Sequence, residues 1–104
     1  LKELAVGVSV ISMSPSAFQG CKKLKSVNLA ASKITSLPKN TFKDCKGLRT
    51  ITVNGNVLKS VNKNAFKGTK AKSITVNIKT KNKKALKSLK RKFKSAGLKK
   101  AKYK

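Results

Sequence analysis

The chain has 104 residues, of which 27 are Lys or Arg against two acids and no His, giving a formal charge of +25. Without an imidazole, no Ser-His-Asp or Cys-His arrangement can be assembled. Two Cys cannot close a four-ligand zinc site, and Glu3 and Asp44 fall in different parts of the chain, away from any paired-carboxylate pattern. The glycines form no phosphate-binding loop, and nothing marks a desolvated Lys nucleophile. No enzymatic activity and no cofactor or metal are expected. No run is apolar and long enough for a transmembrane helix.

The chain opens with an alternating run, Leu1-Lys2-Glu3-Leu4-Ala5-Val6. Alternation of apolar and polar residues reads as a short strand with one buried face. Similar runs follow at Leu24-Lys25-Ser26-Val27-Asn28-Leu29, Leu48-Arg49-Thr50-Ile51-Thr52-Val53 and Ala71-Lys72-Ser73-Ile74-Thr75-Val76. Four parallel strands are expected, with a one-residue deletion between Phe66 and Ala71 in the last copy. After each of the first three runs comes an apolar pair, Val10 with Met13, Ile34 with Leu37, and Leu58 with Val61. These predict an extended or turn-rich return leg.

Each return leg leads to an aromatic segment: Ser16-Ala17-Phe18, Asn40-Thr41-Phe42 and Asn64-Ala65-Phe66. A polar residue ahead of the aromatic suits a single turn of helix or a 3₁₀ turn. Cys21 and Cys45 follow Phe18 and Phe42 at the same offset, 24 residues apart, and Thr69 takes that place after Phe66. Self-similarity at this period predicts a solenoid, in which one unit cannot bury its own apolar face and stacking makes a continuous core. Phe18, Phe42 and Phe66 are therefore core residues. Equivalent Cys in adjacent units could come within disulfide range. Side chains directed in parallel at a core rarely reach the required dihedral, so two free, buried Cys acting as small apolar residues are expected.

Residues 1–78 are read as about three units plus a leading strand, and residues 79–104 as a basic cap. Leu86, Leu89, Phe93 and Ala96 share one face of a helix over about 82–96. Thr80 or Asn82 caps its start, and Gly97 ends it in the left-handed conformation. The helix is expected to cover the open end of the stack, with a short basic tail after it. The chain begins inside a strand and with Leu, so more repeats are expected upstream. An uncovered edge strand invites pairing with another chain, which makes the first strand a candidate surface for an end-to-end homodimer.

The pattern Leu-x-x-Leu-x-Leu, then an apolar pair, then Ala-Phe-x-x-Cys, resembles the leucine-rich repeats of the BspA-like bacterial surface-protein family, over roughly residues 1–78. Thr69 in place of a Cys and Ala71 in place of a strand Leu are the departures, both in the last unit. The resemblance implies an α/β leucine-rich-repeat solenoid: a short-stranded parallel sheet, a turn-rich convex side and a C-terminal amphipathic capping helix. It also implies an extracellular or cell-surface location, and adhesion to a host or cell-wall protein.

Charge gives the candidate contacts. Lys2, Lys25, Arg49 and Lys72 are expected to stack as one row beside an outer sheet face of Ser, Thr and Asn. With strands ~4.8 Å apart, their charges fall within a Debye length of ~8 Å. Lys84, Lys87, Arg91 and Lys94 form the outward helix face. Such a surface suits polyanions, an anionic glycan among them. Lys is poorly suited to bidentate base readout, and only Tyr103 looks free to stack on bases, so nucleic acid is disfavoured. Three functions are carried forward: a binding module of a secreted or surface protein, a purely structural cap of a longer solenoid, and a basic nucleic-acid-associated protein.

Overall fold

The computed structural model describes residues 3–5 and 14–103. Strands β1 (Glu3–Ala5), β2 (Ser26–Leu29) and β4 (Thr50–Asn54) alternate along the chain with a second set, β3 (Ser36–Leu37) and β5 (Ser60–Val61). Next come β6 (Thr75–Lys79), helix α1 (Lys83–Phe93) and β7 (Lys102–Tyr103). The main sheet runs β1-β2-β4-β6-β7 with every neighbouring pair parallel, and β3 and β5 form a second parallel pair. Successive turns of chain thus lie one on another, each adding one strand to the main sheet.

The alternation in sequence becomes alternation in burial. Val27 and Leu29 in β2, Ile51 and Val53 in β4, and Val76 and Ile78 in β6 point into the core. Leu24 and Leu48, just ahead of their strands, are fully buried. The return legs supply the opposite wall through Ile34, Leu37 and Leu58; Val10 and Met13 lie outside the described residues.

In the aromatic segments the backbone departs from the expected helical turn. Ser16, Asn40 and Asp44 are left-handed, with φ of about 60°, and so are Gly20 and Gly68. Left-handed residues at this spacing prevent a helix from propagating. Alternate N–H groups instead do different things. Ala17, Gln19 and Cys21 donate three residues back within their own turn, while Ser16, Phe18 and Gly20 donate to the carbonyls of Lys39, Thr41 and Lys43 in the next unit. Phe42 and Asp44 repeat this with Ala65 and Lys67. Every other backbone donor therefore joins one unit to the next, which satisfies groups that would otherwise be buried unpaired.

That ladder sets the phenylalanines in a column. Phe18 and Phe42 stack with ring centroids 5.8 Å apart, and Phe42 and Phe66 at 5.4 Å. Phe93, from α1, continues the column at 5.8 Å from Phe66, tilted by 46°. The helix thus substitutes its own aromatic for that of a further unit.

Three expectations change. The last copy carries an insertion rather than a deletion: Ser26 pairs with Thr50, 24 residues on, but Thr50 pairs with Thr75, 25 on. Aligning the copies on their shared Ile-Thr-Val would leave Ile78 beyond the sheet. The observed register buries it against Val53's row, and a 3₁₀ turn at Ala71–Ser73 takes up the extra chain. The helix ends at Phe93 and passes into a wider turn over Lys94–Leu98, closed by left-handed Gly97 at φ 104°. This wider turn brings both Ala96 and Leu98 into the core. Finally, the tail is not free: Lys102–Tyr103 adds a fifth strand beside β6, with the Lys102 N–H donating to the Ile74 carbonyl at 2.9 Å.

Candidate anion-contact surface

Asn82 starts α1: its side-chain oxygen accepts from the N–H groups of Lys84 (3.0 Å) and Ala85 (3.2 Å). Thr80, the other candidate, supports it by accepting from the Asn82 N–H and donating to Asn56. The inward stripe of Leu89 and Phe93, with half-buried Leu86, packs on the last unit. The ammonium of Lys92 donates to the Lys59 carbonyl, tying the helix to the return leg.

The opposite face of the helix is cationic. Lys84, Lys87, Arg91 and Lys94 are all exposed, at spacings that keep them on one stripe. Lys87, Lys90, Arg91 and Lys94 line one shallow hollow. Lys94 also sits over the Tyr103 ring, 5.7 Å from its centroid, a favourable cation–π distance. Tyr103 itself is half-buried, and its hydroxyl donates to the Leu98 carbonyl at 2.7 Å. Burial pushes its pKa up to about 12. It is a structural clamp and offers no open ring to stack on a base.

The sheet-side row is shorter than the sequence suggests. Lys25 and Arg49 are adjacent and exposed, but the next place in the row, opposite Arg49, belongs to buried Ile74. Lys72 is displaced into the 3₁₀ turn, so it does not extend the row. Lys2 lies outside the described residues. Arg49 is turned back on its own turn, donating to the carbonyls of Lys46 (3.2 Å) and Leu48 (3.1 Å).

Displacement gives Lys72 other neighbours. Together with Lys70, Ala71, Ser73 and Lys100 it lines a second hollow of about 390 Å³. Sequence reading missed Lys70, Lys90 and Lys100. Lys90 carries a helical signal, one turn from Lys87 and Lys94. Lys100 meets Lys72 only because β7 pairs with β6, and no spacing in the sequence announces that.

Both cysteines are free. Cys45 is buried and donates to the Phe18 carbonyl at 3.0 Å. Burial raises its pKa to about 11, against a smaller lowering by a backbone hydrogen bond with Cys21. Cys21 is only half-buried, which corrects the expectation of two buried thiols. Among the described residues no His, Cys, Asp or Glu cluster could hold a metal ion, and no helix is long and apolar enough to cross a membrane.

No curated protein and no solved structure matches the chain. A family model described as BspA type leucine rich repeat region (6 copies) matches residues 1–91, which takes in the strands β1 to β6, the phenylalanine column through Phe66 and most of α1. The chain belongs to the BspA-type leucine-rich-repeat family.

Proposed function

We propose that this chain is a capped leucine-rich-repeat solenoid serving as a non-enzymatic binding module outside the cell, and that it contacts polyanions through its cationic faces. Leucine-rich repeats suggest an interaction module, and BspA-type members are typically secreted or displayed on the surface. The observation that carries the reading is the stripe of Lys84, Lys87, Arg91 and Lys94. Its cations stand exposed on a helix whose other side is locked by Leu89 and Phe93. A fixed array of cations binds a linear polyanion with less ordering cost than a flexible one. Lys25 and Arg49 offer a smaller array at the sheet.

Nucleic acid fits less well. Base readout favours Arg, and only Arg49 and Arg91 are present. The continuation of the phenylalanine column by Phe93 supports a capping role for α1 alongside binding.

Retention on a heparin column tests the reading. Binding through a shaped face falls steeply with salt, and reversing Lys87, Arg91 and Lys94 to Glu shortens retention well below that of a variant reversed at Lys33, Lys39 and Lys63. Retention equal to that of a charge-matched unfolded peptide would remove the case for a shaped site.

A further inference from the structure

The hollow between Lys70, Lys72 and Lys100 is assembled from two segments far apart in sequence. The 3₁₀ turn at Ala71–Ser73, a product of the inserted residue, carries Lys72. Its shape is fixed by the Ser73 N–H donating to the Lys70 carbonyl (2.9 Å) and the Ile74 N–H to the Ala71 carbonyl (3.0 Å). The other wall holds Lys100, set between fully buried Leu98 and the β7 pairing. Ala71 and Ser73 complete the lining. Three lysines thus line one opening whose lining includes no carboxylate. Backbone hydrogen bonds hold both walls, so the three lysines stay neighbours and some of their mutual repulsion remains. A bound anion relieves it, and the partly apolar lining strengthens that attraction relative to open water.

The position matters as much as the charge. The turn Ala71–Ser73 packs against the Lys94–Leu98 segment, and Lys94 belongs to the hollow on the helix side. The segment that begins with Lys94 therefore packs against the turn that carries Lys72, which makes the two hollows neighbours although they share no lining residue. Resting on the polyanion reading above, we infer that the Lys70–Lys72–Lys100 hollow is an anion subsite. It seats one tetrahedral oxyanion, sulfate or phosphate, of a linear polymer whose neighbouring groups lie against Lys87, Lys90, Arg91 and Lys94. Lysine suits this task. A compact ammonium with rotatable donors meets a tetrahedral group from any side, whereas planar bidentate recognition calls for Arg.

The experiment compares three double variants of the full chain, K72Q/K100Q, K87Q/R91Q and the control K33Q/K63Q. Each is titrated with a heparin octasaccharide and with a poly(glycerol phosphate) of matched charge, at several salt concentrations. All six residues are exposed, and a thermal melt confirms that each variant folds. The subsite predicts a roughly tenfold loss of affinity in K72Q/K100Q and a salt slope shallower by about two, since each phosphate-type contact contributes about one to it. The control loses less than about twofold. Binding of only one polymer in this pattern identifies the source of the anion and still supports the subsite. Loss in K87Q/R91Q with K72Q/K100Q matching the control overturns the subsite and leaves the polyanion reading standing. Equal loss in all three variants, or no binding, overturns both. Tighter binding of a charge-matched single-stranded oligonucleotide would replace the glycan or wall polymer with nucleic acid.

Discussion

Cys45 and Cys21 occupy equivalent places in neighbouring units, yet their environments separate them chemically. Cys45 is buried, bonded to the Phe18 carbonyl, and keeps its proton to about pH 11. Cys21 is half-buried. Because only the thiolate is nucleophilic, brief alkylation near pH 8 should modify Cys21 alone, with Cys45 modified only after unfolding; mass spectrometry of the peptides reads this directly. The raised pKa has a signed consequence. An unfolded Cys45 ionises from about pH 9, the folded one near 11, so the unfolded state gains from deprotonation first. Stability from this group is fully present below pH 9 and is lost as pH rises toward 11. The advantage of wild type over Cys45→Ala should therefore shrink by about 2–3 kcal/mol across that window; an advantage independent of pH would contradict the assignment. Lys titration is common to both proteins and cancels in the difference. Gly47 is constrained by contact instead: a Cβ there would collide with the backbone carbonyl of Lys22 in the preceding unit. Gly47→Ala should cost about 1–3 kcal/mol in denaturant unfolding, although Gly47 sits in a polar turn where Ala looks harmless.

At the level of elements, helix α1 concentrates its stabilisation in two residues. Asn82 satisfies two of the helix's free N–H groups, so Asn82→Ala should lower stability by about 1 kcal/mol. Phe93 is fully buried at the end of the phenylalanine column. Phe93→Ala should cost about 3–5 kcal/mol, and Phe93→Leu clearly less, in the same assay. The helix, its cap residue and its left-handed Gly97 were legible because they depend on local spacing. The core positions Leu24, Leu48, Phe42 and Phe66 were legible because the period repeats them. Strand register in the last unit was not: Ala71-Lys72-Ser73-Ile74 imitates Leu48-Arg49-Thr50-Ile51, and only the need to bury Ile78 distinguishes a shift from a match. Strand β7 was equally hidden. Two residues of a lysine-rich tail carry no alternation worth reading, and they are held by a backbone bond to Ile74 and by the Tyr103 hydroxyl. Because Lys72 and Lys100 owe their meeting to those two features, the second hollow could not be read from the chain.

Across the whole molecule the dominant electrostatic fact is one sign of charge. With 27 bases, two carboxylates and no His, protonating every acid moves the formal charge only from +25 to +27. Acid unfolding normally proceeds by protonating paired carboxylates and buried neutral His, and this chain has almost nothing for it to act on. The melting temperature should therefore change little between pH 7 and pH 3 at fixed salt. Salt has far more to act on, because it screens the repulsion among the cations themselves. The helix alone carries Lys83–Lys87 and Lys87–Arg91 as like-charge pairs one turn apart, each costing a few tenths of a kcal/mol. Such pairs recur over the surface, and salt weakens repulsion between exposed charges beyond the Debye length, which falls from ~30 Å at 0.01 M to ~8 Å at 0.15 M. Raising salt across that range should lift the melting temperature by several degrees, with a measurable part of the gain lost in a variant carrying Gln at Lys87, Lys90, Arg91 and Lys94. A sulfated oligosaccharide should reproduce that rise at concentrations too low to alter ionic strength, because it neutralises the same cations by binding. A melting curve that responds to acid as strongly as to salt would mean that Glu3 and Asp44 carry weight the charge inventory does not assign them.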